Sequence, residues 1–372
     1  MWTTITRAIG AAPGRLPRQV GAGVDLARST GLGYLWQRRA ESRAQAGRAH
    51  PLAVYRTIWT AAAEEVGATL SDLGSGFFEL RRDRARTRVW FNWVELEDIV
   101  THRLSLDKTR VHELLVSEGV PVPDHIEIDF RDLEQAERFL QESGTCVMKP
   151  ASGTSAGYGV TSGIRSNEDL ARARLRASRA DRRILVERQA PGSAYRLLVL
   201  DGELIDVVRR DPPAVVGDGG SSIRELIAAE NRARLEAGGW RGFRQLTVDL
   251  EAVLTLGAQD LGLASIPAAG ERVTVKHVES QNASHENETI RDGVAKEVGA
   301  AAVRASEALG LRLAGIDLVS PDLSQPLDQN GGAIIEVNGT PGFQYHYLVA
   351  EPPRATAVAV PVLRTLLSER SR

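Results

Sequence analysis

The sequence contains the stretch Leu313-Ala314-Gly315-Ile316-Asp317-Leu318-Val319. After a turn-rich insert, it is followed by Ala333-Ile334-Ile335-Glu336-Val337-Asn338-Gly339-Thr340-Pro341-Gly342. Each stretch is an apolar run of β-forming residues with one carboxylate at or near its end. The insert contains residues typical of hairpin loops, namely Pro321, Pro326, Asp328, Asn330, Gly331 and Gly332. The pattern predicts two adjacent antiparallel strands.

This hairpin would bring together three oxygen-bearing side chains, those of Asp317, Glu336 and Asn338. Such a ligand set suits a hard cation such as Mg²⁺, which keeps water ligands and takes its remaining ligands from phosphates. Without a metal, two carboxylates at the end of an apolar hairpin would repel each other and be costly to bury. We therefore predict a metal site. The alternative is that Asp317 and Glu336 are solvated strand ends.

A glycine-rich loop follows a predicted strand at residues 144–150, which contains Lys149. Small residues allow backbone N–H groups to approach a phosphate closely, and the lysine provides a positive charge. The loop is not a Walker A loop, because its lysine precedes the glycines. It is not a dinucleotide fingerprint either, because Val160 continues as a strand rather than as a helix.

Other local patterns predict the elements around these two stretches. Asp107 is suited to cap a helix that begins with Lys108, although a lysine there opposes the helix dipole unless an anion also binds. By itself Lys108 fits a surface lysine. A strand at residues 184–187 ends where backbone groups could face a purine, or simply enters a loop. Asp201-Gly202 predicts a hairpin. Residues 281–289 are predicted to form an exposed polar loop with a solvated His285.

Composition limits the class of protein. The 372 residues are 42% hydrophobic and 25% charged, as in soluble globular proteins, and they are enough for two or three domains. The single cysteine, Cys146, excludes an internal disulfide and favours a reducing cytoplasm. A net charge of -2 gives no support for nucleic-acid binding. No apolar run is as long as a membrane span, so no membrane association is expected.

The first 106 residues are expected to form two units. Residues 1–50 contain Arg7, Arg15, Arg18, Arg28, Arg38, Arg39, Arg43 and Arg48, few acids and no apolar stretch like that of a secretory signal. We predict a basic, partly helical arm that packs on the body or on a second subunit of a homodimer. An arm for an acidic partner is the alternative. Residues 51–106 are predicted to form a small α/β domain.

Five motifs follow one another along the chain: Asp107-Lys108, Met148-Lys149-Pro150 with its glycine loop, Val186-Glu187 with Pro191-Gly192, Gly315-Ile316-Asp317, and Ile335-Glu336-Val337-Asn338 with Pro341-Gly342. This order resembles that of the ATP-grasp carboxylate–amine ligases. A narrower resemblance, to the ATP-grasp region of cyanophycin synthetases and bifunctional glutathione synthetases, is carried by Tyr195-Arg196-Leu197-Leu198-Val199, Arg209-Arg210-Asp211-Pro212-Pro213, Val216-Gly217-Asp218-Gly219 and Asn282-Ala283-Ser284. It extends over about residues 107–346.

The resemblance implies an α+β ATP-grasp fold, in which two subdomains, at residues 107–191 and 192–372, clasp ATP. An α/β pre-ATP-grasp domain precedes them in the sequence. The resemblance also implies that ATP phosphates are held by Lys108 and Lys149, and that the closing loop includes Ser152, Gly153, Ser155 and Gly157. It implies adenine contacts from Glu187 and the Ala190 backbone, and Mg²⁺ ligands, for two ions, in Asp317, Glu336 and Asn338. Arg210 or Arg196 would stabilise the acyl phosphate and the tetrahedral intermediate.

The chain departs from the resembled families at three points. Ala194 stands where an acidic ribose contact is usual, and His285-Glu286-Asn287 replaces a Gly-Gly after the Asn-x-Ser motif, which suggests a different substrate. The resemblance includes neither the Mur-ligase-like half of cyanophycin synthetases nor the cysteine-ligase half of the glutathione enzymes. A single ligation is therefore expected.

The function implied is an ATP-dependent ligase that joins an amino acid or short peptide to an amine through an acyl phosphate, in specialised biosynthesis. Activation by ATP is needed because a carboxylate is a poor electrophile, and a closed loop would protect the acyl phosphate from water. Gln344, Tyr345, His346 and residues 282–289 are expected to shape the substrate pockets. The alternatives are a nucleotide-binding module without ligase activity and a kinase that uses the same ATP site.

Overall fold

The computed structural model describes residues 51–154, 157–237 and 245–369. Its strands are β1 (Thr69–Gly74), β2 (Phe77–Arg82), β3 (Ala85–Trp90), β4 (His125–Asp129), β5 (Cys146–Pro150), β6 (Thr161–Ile164), β7 (Arg183–Arg188), β8 (Ser193–Leu200), β9 (Glu203–Arg210), β10 (Ala214–Val216), β11 (Arg272–Thr274), β12 (Asn287–Thr289), β13 (Leu313–Ser320) and β14 (Ala333–Asn338). The predicted arm at residues 1–50 and Ser155 lie outside the described residues.

Helices alternate with these strands and cover the sheets. They are α1 (Pro51–Val66), α2 (Ile99–Ser105), α3 (Lys108–Ser117), α4 (Leu133–Ser143), α5 (Asn167–Ala177), α6 (Ile223–Ala237), α7 (Leu250–Gly257), α8 (Lys296–Ala308), α9 (Leu327–Asn330), α10 (Gln344–Tyr347) and α11 (Ala359–Glu369). The strand pairs within the described residues are antiparallel, so the predicted α+β class is confirmed. The domain boundaries predicted at residues 50, 106 and 191 stay predictions.

The first described unit consists of α1 and the sheet β1-β2-β3. Apolar residues at helical spacing on α1 enter a cluster that also contains residues of α11 and β8, so the N-terminal unit shares its core with the C-terminal helix. Trp59 lies at the centre, with its ring 5.6 Å from that of Phe343 and its Nε1 donating to the Phe91 carbonyl at 2.8 Å. Strand β1 was missed, because its sequence Thr-Leu-Ser-Asp-Leu-Gly is mostly polar and the strand is an exposed edge.

A four-stranded sheet in the order β4-β7-β5-β6 carries the glycine loop, which joins β5 to β6. Helices α4 and α5 pack against this sheet, and their apolar residues form one cluster with Cys146 on β5. Burial raises the pKa of the Cys146 thiol to about 11, so this cysteine is a core residue without thiolate character at neutral pH.

A five-stranded sheet in the order β12-β9-β8-β13-β14 carries the predicted metal hairpin. The Asp201-Gly202 hairpin joins β8 to β9, as predicted. On β13, Asp317 stands opposite Arg196 of β8 on one side and opposite Glu336 of β14 on the other. Helices α8 and α3 cover the apolar face of the sheet, which fixes the register because a slip by one residue would expose that face.

A smaller unit is inserted between β9 and β12. It contains the two-stranded sheet β10-β11 with α6 and α7, and its apolar residues form a separate cluster. No helix of the described ranges combines the length and the apolar character needed to cross a membrane.

The prediction that residues 281–289 form an exposed loop was wrong for most of that segment. Asn282, Glu286, Asn287 and Thr289 are buried, and residues 287–289 form β12. Burial of Glu286 and Asn287 is tolerated because they are hydrogen-bonded: Glu286 accepts from the amides of Ala214 and Ala283, and Asn287 donates to the Leu348 carbonyl. His285 is exposed, as expected.

We expect Trp59→Ala to lower the free energy of unfolding by about 3–5 kcal/mol, because it removes a fully buried ring and leaves a cavity beside Phe343. Urea denaturation followed by circular dichroism measures the change. Val253→Ala, at a position of α7 that is 51% exposed, serves as the control and should stay within about 0.5 kcal/mol of the unaltered protein. Equal losses in the two variants would contradict the assignment of Trp59 to the core.

Candidate active site

Two lysines on different elements meet beside the end of β14. Lys149 of β5 lies with its Nζ 2.6 Å from Oε1 of Glu187 and donates to the Ile335 carbonyl at 2.9 Å. Lys108, at the start of α3, lies with its Nζ 3.1 Å from Oε1 of Glu336 and donates to the Thr154 carbonyl. Both lysines are about 5% exposed. Lys108 is therefore a buried residue, and the expectation that it fits a surface position is wrong.

The start of α3 is fixed against the base of the glycine loop. Asp107 caps the helix by accepting from the Arg110 amide, as predicted, and its carboxylate also accepts two bonds from Arg183. The Lys108 amide donates to the Ala151 carbonyl at 2.8 Å. A helix N-terminus and a lysine at the same point create a positive potential that favours an anion.

His112 is a part of this cluster that sequence reasoning missed. It lies one helical turn after Lys108, is 1% exposed, and places Nδ1 3.5 Å from Glu187 Oε1. Burial lowers the pKa of the imidazole to about 4 despite the opposing effect of the Glu187 carboxylate. The spacing of four residues from Lys108 was the available clue, because residues i and i+4 share a helix face.

Two arginines converge on Asp317. Arg196 binds it through two bonds, Nε to Oδ1 at 2.5 Å and Nη2 to Oδ2 at 2.8 Å, while Nη1 of Arg210 lies 3.7 Å from Oδ1. The guanidinium of Arg210 lies 4.2 Å from the centre of the Tyr345 ring, and that of Arg196 lies 5.5 Å from it. Close approach of Arg196 requires Gly315, where a Cβ would come within 2.8 Å of Nη1.

The three predicted metal ligands lie side by side. Asp317 pairs with Glu336 across β13 and β14, and Asn338 Nδ2 donates to Asp317 Oδ2 at 3.2 Å. Within the described residues no group of three or more His, Cys, Asp or Glu that could hold a metal is found, and this set has two carboxylates and one amide. It fits Mg²⁺ chemically, because a carboxylate offers about four lone-pair sites, of which Arg196 and Asn338 together use three on Asp317. Metal binding here stays a prediction.

Protein cations neutralise the carboxylates that sequence reasoning had assigned to a metal alone. Burial tends to raise the pKa of the Glu336 carboxyl, but Lys108 and then Lys149 outweigh it and hold that pKa well below its usual range. Arg196 neutralises Asp317 through their ion pair. The repulsion expected between the two acids is thus relieved without a metal.

The remaining predicted ATP residues are placed as follows. In the glycine loop, Gly153 and Gly157 both have φ of +72°, a conformation that favours glycine, and Ser152 donates its hydroxyl proton to Asp181 at 2.8 Å. Ala190 is half-buried and lies just beyond the end of β7. Ala194 is buried and pairs with Arg210 in the sheet. The contacts of these residues with ATP stay predictions.

The fold and the arrangement of motifs are those of the ATP-grasp class of proteins, as the sequence resemblance predicted. The chain is related to cyanophycin synthetases and to bifunctional glutathione synthetases. Cyanophycin synthetase of Trichormus variabilis is 33% identical over 260 residues, which are 69% of this chain and 29% of that protein. The glutathione biosynthesis bifunctional protein GshAB of Pasteurella multocida is 30% identical over 261 residues, 68% of this chain and 34% of that protein.

A solved structure gives the same relationship. The crystal structure of a bifunctional glutathione synthetase from Pasteurella multocida has a TM-score of 0.53 and 26% identity, and the match covers 82% of this chain and 43% of that one. The chain spans about a third of the length of the curated relatives it matches. No protein-family model matches the chain.

We expect stability to fall between pH 7 and pH 5 in part through His112. Its pKa in the folded protein lies below its unfolded value, so the unfolded chain binds more protons and stability is lost as the pH falls. Over this range the free energy of unfolding of His112→Gln should therefore fall by about 2 kcal/mol less than that of the unaltered protein. Urea denaturation at both pH values measures the difference. His285→Gln, which removes an exposed imidazole, should lose as much as the unaltered protein; if His112→Gln does too, His112 is not buried as described.

Proposed function

We propose that the protein is an ATP-dependent carboxylate–amine ligase that acts through an acyl phosphate. The observation that carries the proposal is the convergence of two buried lysines, from α3 and β5, on the strand that bears Glu336, with Asp317 and two arginines beside them. Lysines at this position would bind the phosphates of ATP, and the carboxylates would hold Mg²⁺. The arginines are suited to an anionic acyl group.

In the first step, a substrate carboxylate oxygen attacks the γ-phosphorus of ATP and ADP leaves. Lys108 and Lys149 bind the phosphate oxygens and offset the negative charge on the transferred group. Bound Mg²⁺ would supply further charge neutralisation on the phosphates. The glycine loop, joined to Lys108 through the Thr154 carbonyl, would exclude water from the acyl phosphate.

In the second step, the amine attacks the acyl phosphate, an amide forms, and phosphate leaves with the proton from the attacking nitrogen. Arg196 is held rigidly by Asp317 and so remains oriented while charge develops on the carbonyl oxygen. Arg210 has a single, longer contact with Asp317 and lies over the Tyr345 ring, which leaves donor groups for the acyl group.

The proposed substrates are an amino acid or short peptide and an amine, with a role in specialised biosynthesis. Support comes from the relatives, which are named as cyanophycin and glutathione synthetases. The segment after β14 would shape the pockets: Gln344, Tyr345 and His346 are buried in it, and Tyr345 lies under both arginines. A cytoplasmic location and a homodimer remain parts of the proposal.

Screening pooled amino acids for ADP and phosphate release tests the function, with the product identified by mass. We expect release only when an acid and an amine are both present. Glu336→Gln should lower kcat/KM at least about 100-fold, because it removes a charge that holds Lys108 and would bind Mg²⁺. Glu142→Gln, on the exposed face of α4, is the matched control and should change nothing.

Other products would point to other functions. Release of AMP and pyrophosphate would exclude the acyl-phosphate route. A stable phosphorylated acid that accumulates without amine would indicate a kinase. Tight ATP binding with no turnover for any pair would indicate a nucleotide-binding module.

Arg210→Lys should lower the rate of amide formation by about 10- to 100-fold, since a lysine keeps the charge but loses the planar donor array. The first step should continue, and positional isotope exchange in labelled ATP with the acid alone measures it. Arg209→Lys, at the neighbouring and more exposed position of β9, is the matched control with no expected loss. Loss of isotope exchange in Arg210→Lys would assign Arg210 to phosphoryl transfer instead.

A further inference from the structure

One carboxylate near the arginines has no partner in the part of the chain that the structure describes. Glu279 is half-buried and forms no ion pair or side-chain hydrogen bond with another described residue. The other buried carboxylates of the site are paired: Glu187 with Lys149, Glu336 with Lys108, and Asp317 with Arg196. A half-buried carboxylate without a cation is costly, so Glu279 is suited to receive one from outside the chain.

The turn that carries Glu279 lies between the glycine loop and the end of β9. On one side, a Cβ at Gly157 would come within 2.6 Å of Val278 Cγ1 and 3.1 Å of Ser280 Oγ, so the two neighbours of Glu279 touch the loop. On the other side, Asn282 Nδ2 donates to the carbonyl of Asp211, the residue after Arg210, at 3.2 Å. Glu279 thus stands between the predicted ATP loop and an arginine of the acyl-transfer step.

Buried polar contacts hold this turn in place. Before it, Lys276 Nζ lies 2.9 Å from Asp249 Oδ2. After it, Gln281 accepts from the Thr247 amide through its side chain and from Arg234 through its carbonyl, each within 2.9 Å. Since both ends are anchored, the position of the Glu279 carboxylate is set by the fold rather than by a mobile surface loop.

The charges that act on Glu279 come from three elements. Burial raises the pKa of its carboxyl to about 7; Arg210 of β9 opposes that rise, while Asp317 of β13 and Glu251 of α7 add to it. Arg210 is thus the nearby charge that stabilises the Glu279 carboxylate. The negative charges of Asp317 and Glu251 favour the binding of a further cation. ATP and the acid substrate are both anionic and would be repelled, whereas the amine substrate is a cation in solution.

We propose that Glu279 binds the amino group of the amine substrate and so positions the attacking nitrogen beside the acyl phosphate. This inference rests on the proposed ligase function. Mg²⁺ is the other cation of the reaction, but its predicted ligands lie together on β13 and β14, whereas Glu279 lies on the turn that contacts the glycine loop. Glu279 would therefore select amines that carry a positive charge, such as the α-amino group of an amino acid. Its carboxylate would accept the proton that the bound ammonium must lose before the nitrogen can attack.

The test is Glu279→Gln, assayed with the amino acid that gives most ADP in the pooled screen and, separately, with hydroxylamine, a nucleophile that is largely neutral at pH 7. We expect the KM for the amino acid to rise about 10- to 100-fold, since a charge-assisted contact to the ammonium is lost. The KM values for ATP and for the acid should stay within about twofold, and hydroxamate formation should be nearly unchanged. Glu279→Asp, which keeps the charge, should recover part of the loss.

The controls separate this inference from the proposed function. Glu142→Gln repeats the charge change on an exposed helix and should leave every KM unchanged. If the unaltered protein makes neither ADP nor hydroxamate, the proposed function itself fails. If the unaltered protein is active and Glu279→Gln keeps its KM for the amino acid, or instead needs more Mg²⁺, then Glu279 does not bind the amine and the inference is overturned.

Discussion

The arrangement of the site depends on the buried ion pair between Arg196 and Asp317. Both residues are less than 10% exposed, and two charges taken out of water at this depth are tolerated only in close, paired geometry. The two bonds between them provide that geometry, and they require β8 and β13 to be in one register. Because β14 is hydrogen-bonded to β13, the same register also places Glu336 beside Asp317. One ion pair thus positions residues on three strands.

Paired charges also explain how the site can be stable before a nucleotide binds. Lys108 and Lys149 are each satisfied by a carboxylate and a backbone carbonyl, so neither is an uncompensated buried charge. A polyphosphate entering this cluster would take over the lysines, and a divalent cation would take over the freed carboxylate. Binding of the two together exchanges one set of ion pairs for another, which costs less than separating charges that stay buried.

The sequence was informative where local chemistry and a sheet register are enough. The Asp-Gly hairpin, the Asp107 cap and the pairing of Asp317 with Glu336 follow from turn residues and a period of two. It was misleading where distant partners decide the outcome. Within the polar segment 281–289, Glu286 and Asn287 are buried, because Ala214 and Leu348 complete their hydrogen bonds. Likewise the sequence around Glu279 does not indicate that this carboxylate lacks an ion-pair partner among the described residues, because its surroundings are set by the fold around Arg210.

The N-terminal unit contributes to the site through the segment that carries Tyr345. Tyr55 of α1 donates to the Gln344 side chain, and Asn92 donates to the Thr340 carbonyl at 2.7 Å. At the same end of the β13–β14 pair, Glu97 accepts from the amides of Arg312 and Leu313, just where β13 begins. These contacts hold the strand that bears Asp317 and the ring that lies under both arginines. The N-terminal unit therefore supports the residues proposed for acyl transfer, and its core is continuous with that of α11 and β8.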